Sequence, residues 1–283
     1  MNIKIIESPR DAMQGIKRWI PTKNKIKYVN QLLRVGFHTI DIGSFVSEKA
    51  IPQMKDTDLV LESLDVHSSS SQLSVIVANE RGIDSALAYD SVNYLGFPFS
   101  ISKIFQLKNT NKSQSDALKL AEILVSKCAQ EGKQAIVYIS MCFGNPYGEK
   151  WSISELNYWL KQLVDRGVNY FSLSDTIGCA SAYQIQKVFS TVNKKFSEDF
   201  GAHFHSSPNS SIEKIQAAFM SKCYRFDGAL MGLGGCPMAK DDLVGNLATE
   251  QLISFFQAKE EDIGLNLSEL QKAQKLCQEL ILA

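Results

Sequence analysis

The feature that most constrains this chain is a rhythm. Short runs rich in β-branched and aromatic residues alternate eight times with amphipathic stretches of helical period. The strand-like runs are Ile3–Glu7, Thr39–Ile42, Leu73–Val77, Val92–Phe97, Ala135–Ser140, Tyr170–Ser174, Phe200–Phe204 and Arg225–Ala229. The helix-like stretches that follow them are Lys23–Val35, Asp56–Ser63, Glu80–Tyr89, Ser113–Gln130, Ile153–Arg166, Ala182–Lys194, Ser210–Met220 and Leu247–Gln257. Thr22, Ser113, Ser152 and Ser181 stand where N-caps belong, and Gly36, Gly132 and Gly167 where helices should stop in a left-handed residue. A crossover helix returns the chain to the same end of a sheet, so the strands should pair in parallel. Eight such units close most economically into a (β/α)8 TIM barrel, and 283 residues suit a fold of roughly 250. The rival, an open doubly wound sheet for dinucleotides, calls for G-x-G-x-x-G after the first strand, where this chain has Ser8-Pro9-Arg10-Asp11. A ninth helical stretch, Leu267–Ile281, should lie outside the barrel. Residues 1–283 are thus expected to form one domain, a barrel to about residue 260 and a C-terminal helix over about 266–282.

Charge narrows the function classes. Thirty Lys and Arg balance thirty Asp and Glu, which excludes nucleic acid or an anionic membrane as a partner captured by the whole surface. The longest apolar stretches, such as Ala135–Ile139, are far below the roughly 20 residues of a membrane helix. The amino terminus is too short in apolar residues and too charged for a signal peptide, so the expected location is cytoplasmic. Six cysteines without a C-x-x-C pair argue against a zinc ribbon or a disulfide framework.

A barrel builds its active site at the C-terminal ends of its strands. The polar residues to weigh are therefore Arg10 and Asp11 after the first strand, His203 and His205 on the seventh, and the segments Gly232–Cys236 and Gly245-Asn246 after the eighth. Residues two apart on a strand share a face, so both imidazoles can reach one ion. Strand 1 neighbours strand 8 in a closed barrel, which makes Asp11 available as a carboxylate ligand and Asn246 as an amide oxygen. Mixed nitrogen and oxygen ligands suit a six-coordinate Mg²⁺ or Mn²⁺ better than structural zinc, although Zn²⁺ is compatible with the same residue types. The loop containing Gly234 and Gly235 can approach a ligand closely and delivers the thiol of Cys236.

These pieces resemble a known family. Glu7 to Gln14 is similar to the first-strand signature of the DRE-TIM metallolyases. Ser44-Phe45-Val46-Ser47, Pro52-Gln53-Met54, Ser174-Asp175-Thr176-Ile177-Gly178, Gly232 to Pro237 and Gly245 to Glu250 resemble the hydroxymethylglutaryl-CoA lyases among them. The resemblance implies that Asp11, His203, His205 and Asn246 hold a divalent cation, that Arg10 meets the thioester oxygen, and that Cys236 transfers a proton from the loop. It implies cleavage of 3-hydroxy-3-methylglutaryl-CoA to acetoacetate and acetyl-CoA. Arg10, Asp41, Asp175, His203 and Cys236 are then the expected catalytic residues, with Asp175 orienting the site or assisting the base. Arg10, Gln14, Asn79, Tyr138, Lys103 and Lys108 are expected to bind an acyl-CoA, and Gly234, Gly235 and Glu250 to belong to the loop. A homodimer is compatible with this class.

The chain departs from the family pattern at Asp41, where a Glu one methylene longer is usual, and at Ser206, where an acid is usual. A carboxylate set back by one bond lowers the rate by about a hundredfold unless the geometry is restored. Two other readings stay open at this point: a related aldol or Claisen enzyme for another hydroxyacyl-CoA or 2-oxo acid, and a barrel that binds metal or acyl-CoA without turnover.

Overall fold

The computed structural model describes residues 3–235 and 244–282. Its strands are β1 (Lys4–Glu7), β2 (Thr39–Ser44), β3 (Gln72–Ile76), β4 (Val92–Ser100), β5 (Gln134–Ser140), β6 (Tyr170–Asp175), β7 (Asp199–Ser206) and β8 (Arg225–Gly228). They pair in parallel in the order β6-β5-β4-β3-β2-β1-β8-β7, and a β6–β7 pairing closes the ring. The expected (β/α)8 barrel is therefore the observed fold.

The helices are α1 (Pro9–Gln14), α2 (Thr22–Val35), α3 (Thr57–Glu62), α4 (Glu80–Leu87), α5 (Lys103–Thr110), α6 (Gln114–Gln130), α7 (Ile153–Val164), α8 (Ala182–Lys195), α9 (Ser211–Met220), α10 (Thr249–Ala258) and α11 (Leu267–Leu276). Local chemistry explains their ends. Ser113, Ser152 and Ser181 each accept a backbone N–H in the first turn, and Gln184 returns the bond to Ser181 in a capping box. Gly36, Gly132 and Gly167 all take a left-handed φ. Thr22 is a correction: it is the first helical residue, because the carbonyl of Pro21 already accepts the first amides of α2.

Three elements were not foreseen. Arg10 and Asp11 lie on α1, a helix of six residues started by Pro9, and do not extend the first strand. The Lys103 segment is the helix α5, capped by Ser102. The eighth barrel helix starts at Thr249 because Gly245-Asn246 form a short strand, β9, antiparallel to β7.

The main core lies between strands and helices and includes Phe97, Phe99, Phe171, Phe189, Phe204, Phe226 and Phe256, all fully buried. A separate cluster of Tyr94, Ile136 and Tyr138 packs against Ile76 and Tyr170. Arg225 donates to Asp199, Ser172 and the Phe171 carbonyl, so a buried charge ties β8 to β6 and β7. The C-terminal α11 rests on α2, where Gln31 donates to Glu269 and Asn266 to the Val35 carbonyl. Among the described residues no helix is long and apolar enough to cross a membrane.

Candidate active site

On α1, residues 10, 11 and 14 share one face, since side chains i and i+4 are neighbours. Arg10 donates to Asp11 Oδ1 and Gln14 Oε1, each at 3.0 Å, and Gln14 donates back to Asp11. Two nitrogens of Arg10 converge on Asp41 Oδ2 at 3.0 and 2.6 Å. Asp41, shorter by one methylene than the usual Glu, thus meets the guanidinium in a direct, charge-assisted contact. Burial disfavours charge on Arg10, but Asp41 and Asp11 overcome it and raise the guanidinium's pKa, so this residue is cationic throughout the working range. Burial raises the Asp41 pKa, against the pull of Arg10.

His203 and His205 come from β7, on one face as their spacing requires. His203 Nδ1 lies 3.1 Å from Asp227 Oδ2 on β8, and His205 Nδ1 lies 2.9 Å from the Thr176 carbonyl. A carbonyl only accepts, so His205 carries its proton on Nδ1 and turns Nε2 inward. That Nε2 is buried with no hydrogen-bond partner among the described residues. Each of Asp11, His203 and His205 offers one ligand atom, and these atoms lie within 4.8 Å of one another. An orphaned buried imidazole nitrogen beside a carboxylate and a second imidazole is the donor set a divalent cation requires.

Electrostatics agree. Burial raises the Asp11 pKa, but Arg10, His203 and His205 outweigh it and keep the carboxyl ionised below its usual range. Burial and the neighbouring His203 push His205 down to about 4, leaving it neutral and ready to ligate. For His203 burial works against charge, but Asp227 and Asp11 raise it overall.

The antiparallel register of β9 sets Asn246 opposite His205. Its amide nitrogen donates to Asp11 Oδ2 at 2.6 Å and to the Leu233 carbonyl at 2.7 Å. Asn246 therefore joins the cluster through Asp11. Gly234, with φ +88°, runs so close to α1 that an added Cβ would stand 2.5 Å from the Asp11 carbonyl oxygen. Glu250 accepts from the Met231 amide and so holds the start of this loop. Cys236 lies outside the described residues.

A cavity of about 540 Å³ opens above the cluster. Arg10, Asp11, Gln14, His203, His205 and Tyr138 form its polar end, while Val46, Ile51, Ile76, Pro98 and Phe105 contribute an apolar wall. Lys108, Asn109, Asn111 and Lys112 also line it. Asn79 reaches the cavity and also caps α4 by accepting from Gly82. Lys103 is exposed at the start of α5 and does not line the cavity.

Asp175, expected to orient the site or assist the base, does not line the cavity and is not placed to assist a base there: Ser174 and Thr176 line it, and Asp175 faces the opposite side of β6. There its Oδ2 accepts from Lys214 at 2.6 Å and from the Ala180 amide at 3.1 Å. Three residues that matter were missed: Asp227, Lys214 and Glu7. Asp227 and Arg225 are charges two apart in a strand-like run, a signal that the inward face of β8 carries paired polar groups.

Fold and site together define a class: a (β/α)8 barrel whose catalytic end gathers a buried Asp-His-His set suited to a divalent metal, with a fixed arginine beside it. Comparison with known proteins gives the family. Residues 2–277 match the HMGL-like family model, and the chain belongs to this family of carbon-carbon lyases. Hydroxymethylglutaryl-CoA lyase YngG of Bacillus subtilis is 31% identical over 272 residues, 96% of this chain and 90% of its own length. A crystal structure of the HMG-CoA lyase of Bacillus subtilis superimposes with a TM-score of 0.92 at 31% identity, covering 98% of this chain and 93% of that one. An HMG-CoA lyase from Acinetobacter baumannii, solved with coenzyme A and 3-methylmalate, gives a TM-score of 0.91 at 29% identity, covering 99% and 91%.

Proposed function

We propose that this protein is a divalent-metal-dependent lyase that cleaves 3-hydroxy-3-methylglutaryl-CoA to acetoacetate and acetyl-CoA. The observation that carries the reading is the placement of Arg10 directly beside the Asp11, His203 and His205 set at one end of the cavity. Asp11, His203 and His205 would hold Mg²⁺ or Mn²⁺, with Asn246 seated against Asp11. When bound, the cation supplies Lewis-acid polarisation of the tertiary hydroxyl, which makes its proton easier to remove. Arg10, clamped by Asp41 and Asp11, provides fixed positive charge where the thioester oxygen gains negative charge as the carbon-carbon bond breaks. Because Asp41 and Gln14 already orient the guanidinium, little reorganisation accompanies that step. Cys236, two residues after Gly234 in the sequence, takes that hydroxyl proton and returns it to the enolate carbon, which completes acetyl-CoA.

The same cavity is lined by Lys108 and Lys112, whose ammonium groups suit the phosphates of a CoA thioester. The solved relative that holds coenzyme A supports this partner.

The test is to incubate purified protein with the thioester and Mg²⁺ or Mn²⁺ and measure acetoacetate. Product is expected with at least one metal, and His203→Ala should abolish both product and metal binding. Absence of product with either metal would sink the substrate assignment, and tight metal binding without turnover on any hydroxyacyl-CoA would favour a binding protein.

A further inference from the structure

Lys214 belongs to α9, on the outer layer of the fold, yet only 3% of it is exposed. Its Nζ donates to three acceptors: Asp175 Oδ2 at 2.6 Å, the Gly178 carbonyl at 2.9 Å and the His205 carbonyl at 3.1 Å. An ammonium has three protons, so its capacity is used in full. Two of the acceptors belong to the turn Asp175–Gly178, which leaves β6 and is closed by a bond from the Gly178 amide to the Asp175 carbonyl. The third acceptor is the backbone of His205 itself. The same turn contains Thr176, whose carbonyl takes the Nδ1 proton of His205 and whose hydroxyl accepts from the Met141 amide.

A connected path follows. Lys214 draws the turn after β6 against the end of β7, the turn presents the Thr176 carbonyl to the imidazole, and the imidazole is left with Nε2 aimed at Asp11 and His203. Packing alone does not call for this arrangement, because the neighbouring buried positions of α9 are Ile215, Ala217 and Ala218. A buried ion pair is in general no more stabilising than apolar side chains of similar volume, so its presence points to a demand for geometry.

We propose that Lys214 is a positioning residue for the metal cluster, acting through the Asp175–Gly178 turn to hold His205 in its ligating orientation. The inference rests on the metal-dependent reading of the site. It also gives Asp175 its role as the counter-charge of Lys214 in the support of the site.

Two variants test it. Lys214→Met combined with Asp175→Asn removes both charges, so no carboxylate is left buried alone. Lys214→Gln keeps donors for Asp175 but is shorter than Lys by one atom and loses the His205 carbonyl. Mn²⁺ affinity is measured on the metal-free proteins by calorimetry or electron paramagnetic resonance, thermal midpoints are recorded in EDTA, and the ¹⁵N shifts of the imidazoles report the His205 tautomer. The wild type should show a single Nδ1-protonated His205. The double variant should bind Mn²⁺ about 10- to 100-fold more weakly and show mixed tautomers, the range set by loss of a group that orients a ligand. The Gln variant, which leaves the buried Asp175 carboxylate without its counter-charge, should lie between them in Mn²⁺ affinity and melt below the wild type. Wild-type affinity and a single tautomer in a folded variant of either kind would overturn the proposal. Failure of the wild type itself to bind Mn²⁺ would instead overturn the metal reading on which it rests.

Discussion

Glu7 offers a test of the structural reasoning that needs no substrate. It ends β1 fully buried, with Oε1 accepting from the Leu230 amide at 2.8 Å and Oε2 from the Thr249 hydroxyl at 2.5 Å. Leu230 opens the segment that leads to Gly234, so this carboxyl anchors the loop over the site from beneath. Burial pushes its pKa from 4.5 up to about 8, against the lowering effect of its bonds from Thr249 and Leu230. The folded chain therefore holds a proton on Glu7 between those two values while the unfolded chain does not. Stability falls wherever the folded state binds more protons, so the contribution is complete below pH 4.5 and is lost as the pH rises through about 8. At about 1.4 kcal/mol per pH unit the whole window amounts to about 5 kcal/mol, and the span from pH 5.5 to 7.5 to about 2–3 kcal/mol. Glu7→Gln keeps an acceptor for Leu230, offers an amide N–H to Thr249 and cannot ionise. Urea unfolding of both proteins at pH 5.5, 6.5 and 7.5 should show the variant gaining on the wild type by about that amount as the pH rises. Parallel stability profiles would show that Glu7 is ionised in the folded protein and that the argument from its burial is wrong.

Two further predictions concern the cluster. Asp227→Asn removes the charged acceptor that orients His203, so Mn²⁺ affinity should drop about 10- to 100-fold in calorimetry, and an unchanged affinity would leave Asp227 without this role. Gly234→Ala places a Cβ 2.5 Å from the Asp11 carbonyl oxygen at a left-handed φ, a backbone state costing about 1–2 kcal/mol for other residues. The loop or α1 must shift, so metal affinity should fall at least about tenfold while the far-ultraviolet circular dichroism stays that of the wild type. Normal affinity in this variant would mean that the loop is free to sit elsewhere.

The barrel is legible because its evidence is repeated: eight strands carry β-branched runs long enough to stand out from their neighbours, and their helices carry caps such as Ser113 and Ser181 whose chemistry is local. The metal set is legible for a related reason, since His203 and His205 are two apart on a strand and parity alone puts them on one face. Helix α1 is not legible, because six residues are too few for a helical period and Pro9 fits a turn as well as a first helical position. Asp175 shows where such reading ends. Its polarity and its place at a strand end point to the mouth, but which way it faces is a matter of register, and a slip of one residue reverses the face. In the structure Ser174 pairs with His203 and Asp175 with Phe204. Neighbours in a parallel ladder share a face, so Ser174 turns inward with the imidazole and Asp175 outward with the buried ring of Phe204. Once that register is known, an outward carboxylate needs a buried cation on the covering helix, and the residue to look for is a polar one in the core stripe of α9. Ser211, Lys214, Ile215 and Ala218 form that stripe. Lys214 breaks the apolar rule there, and a local rule broken beneath a metal cluster is evidence that geometry is being held for the site.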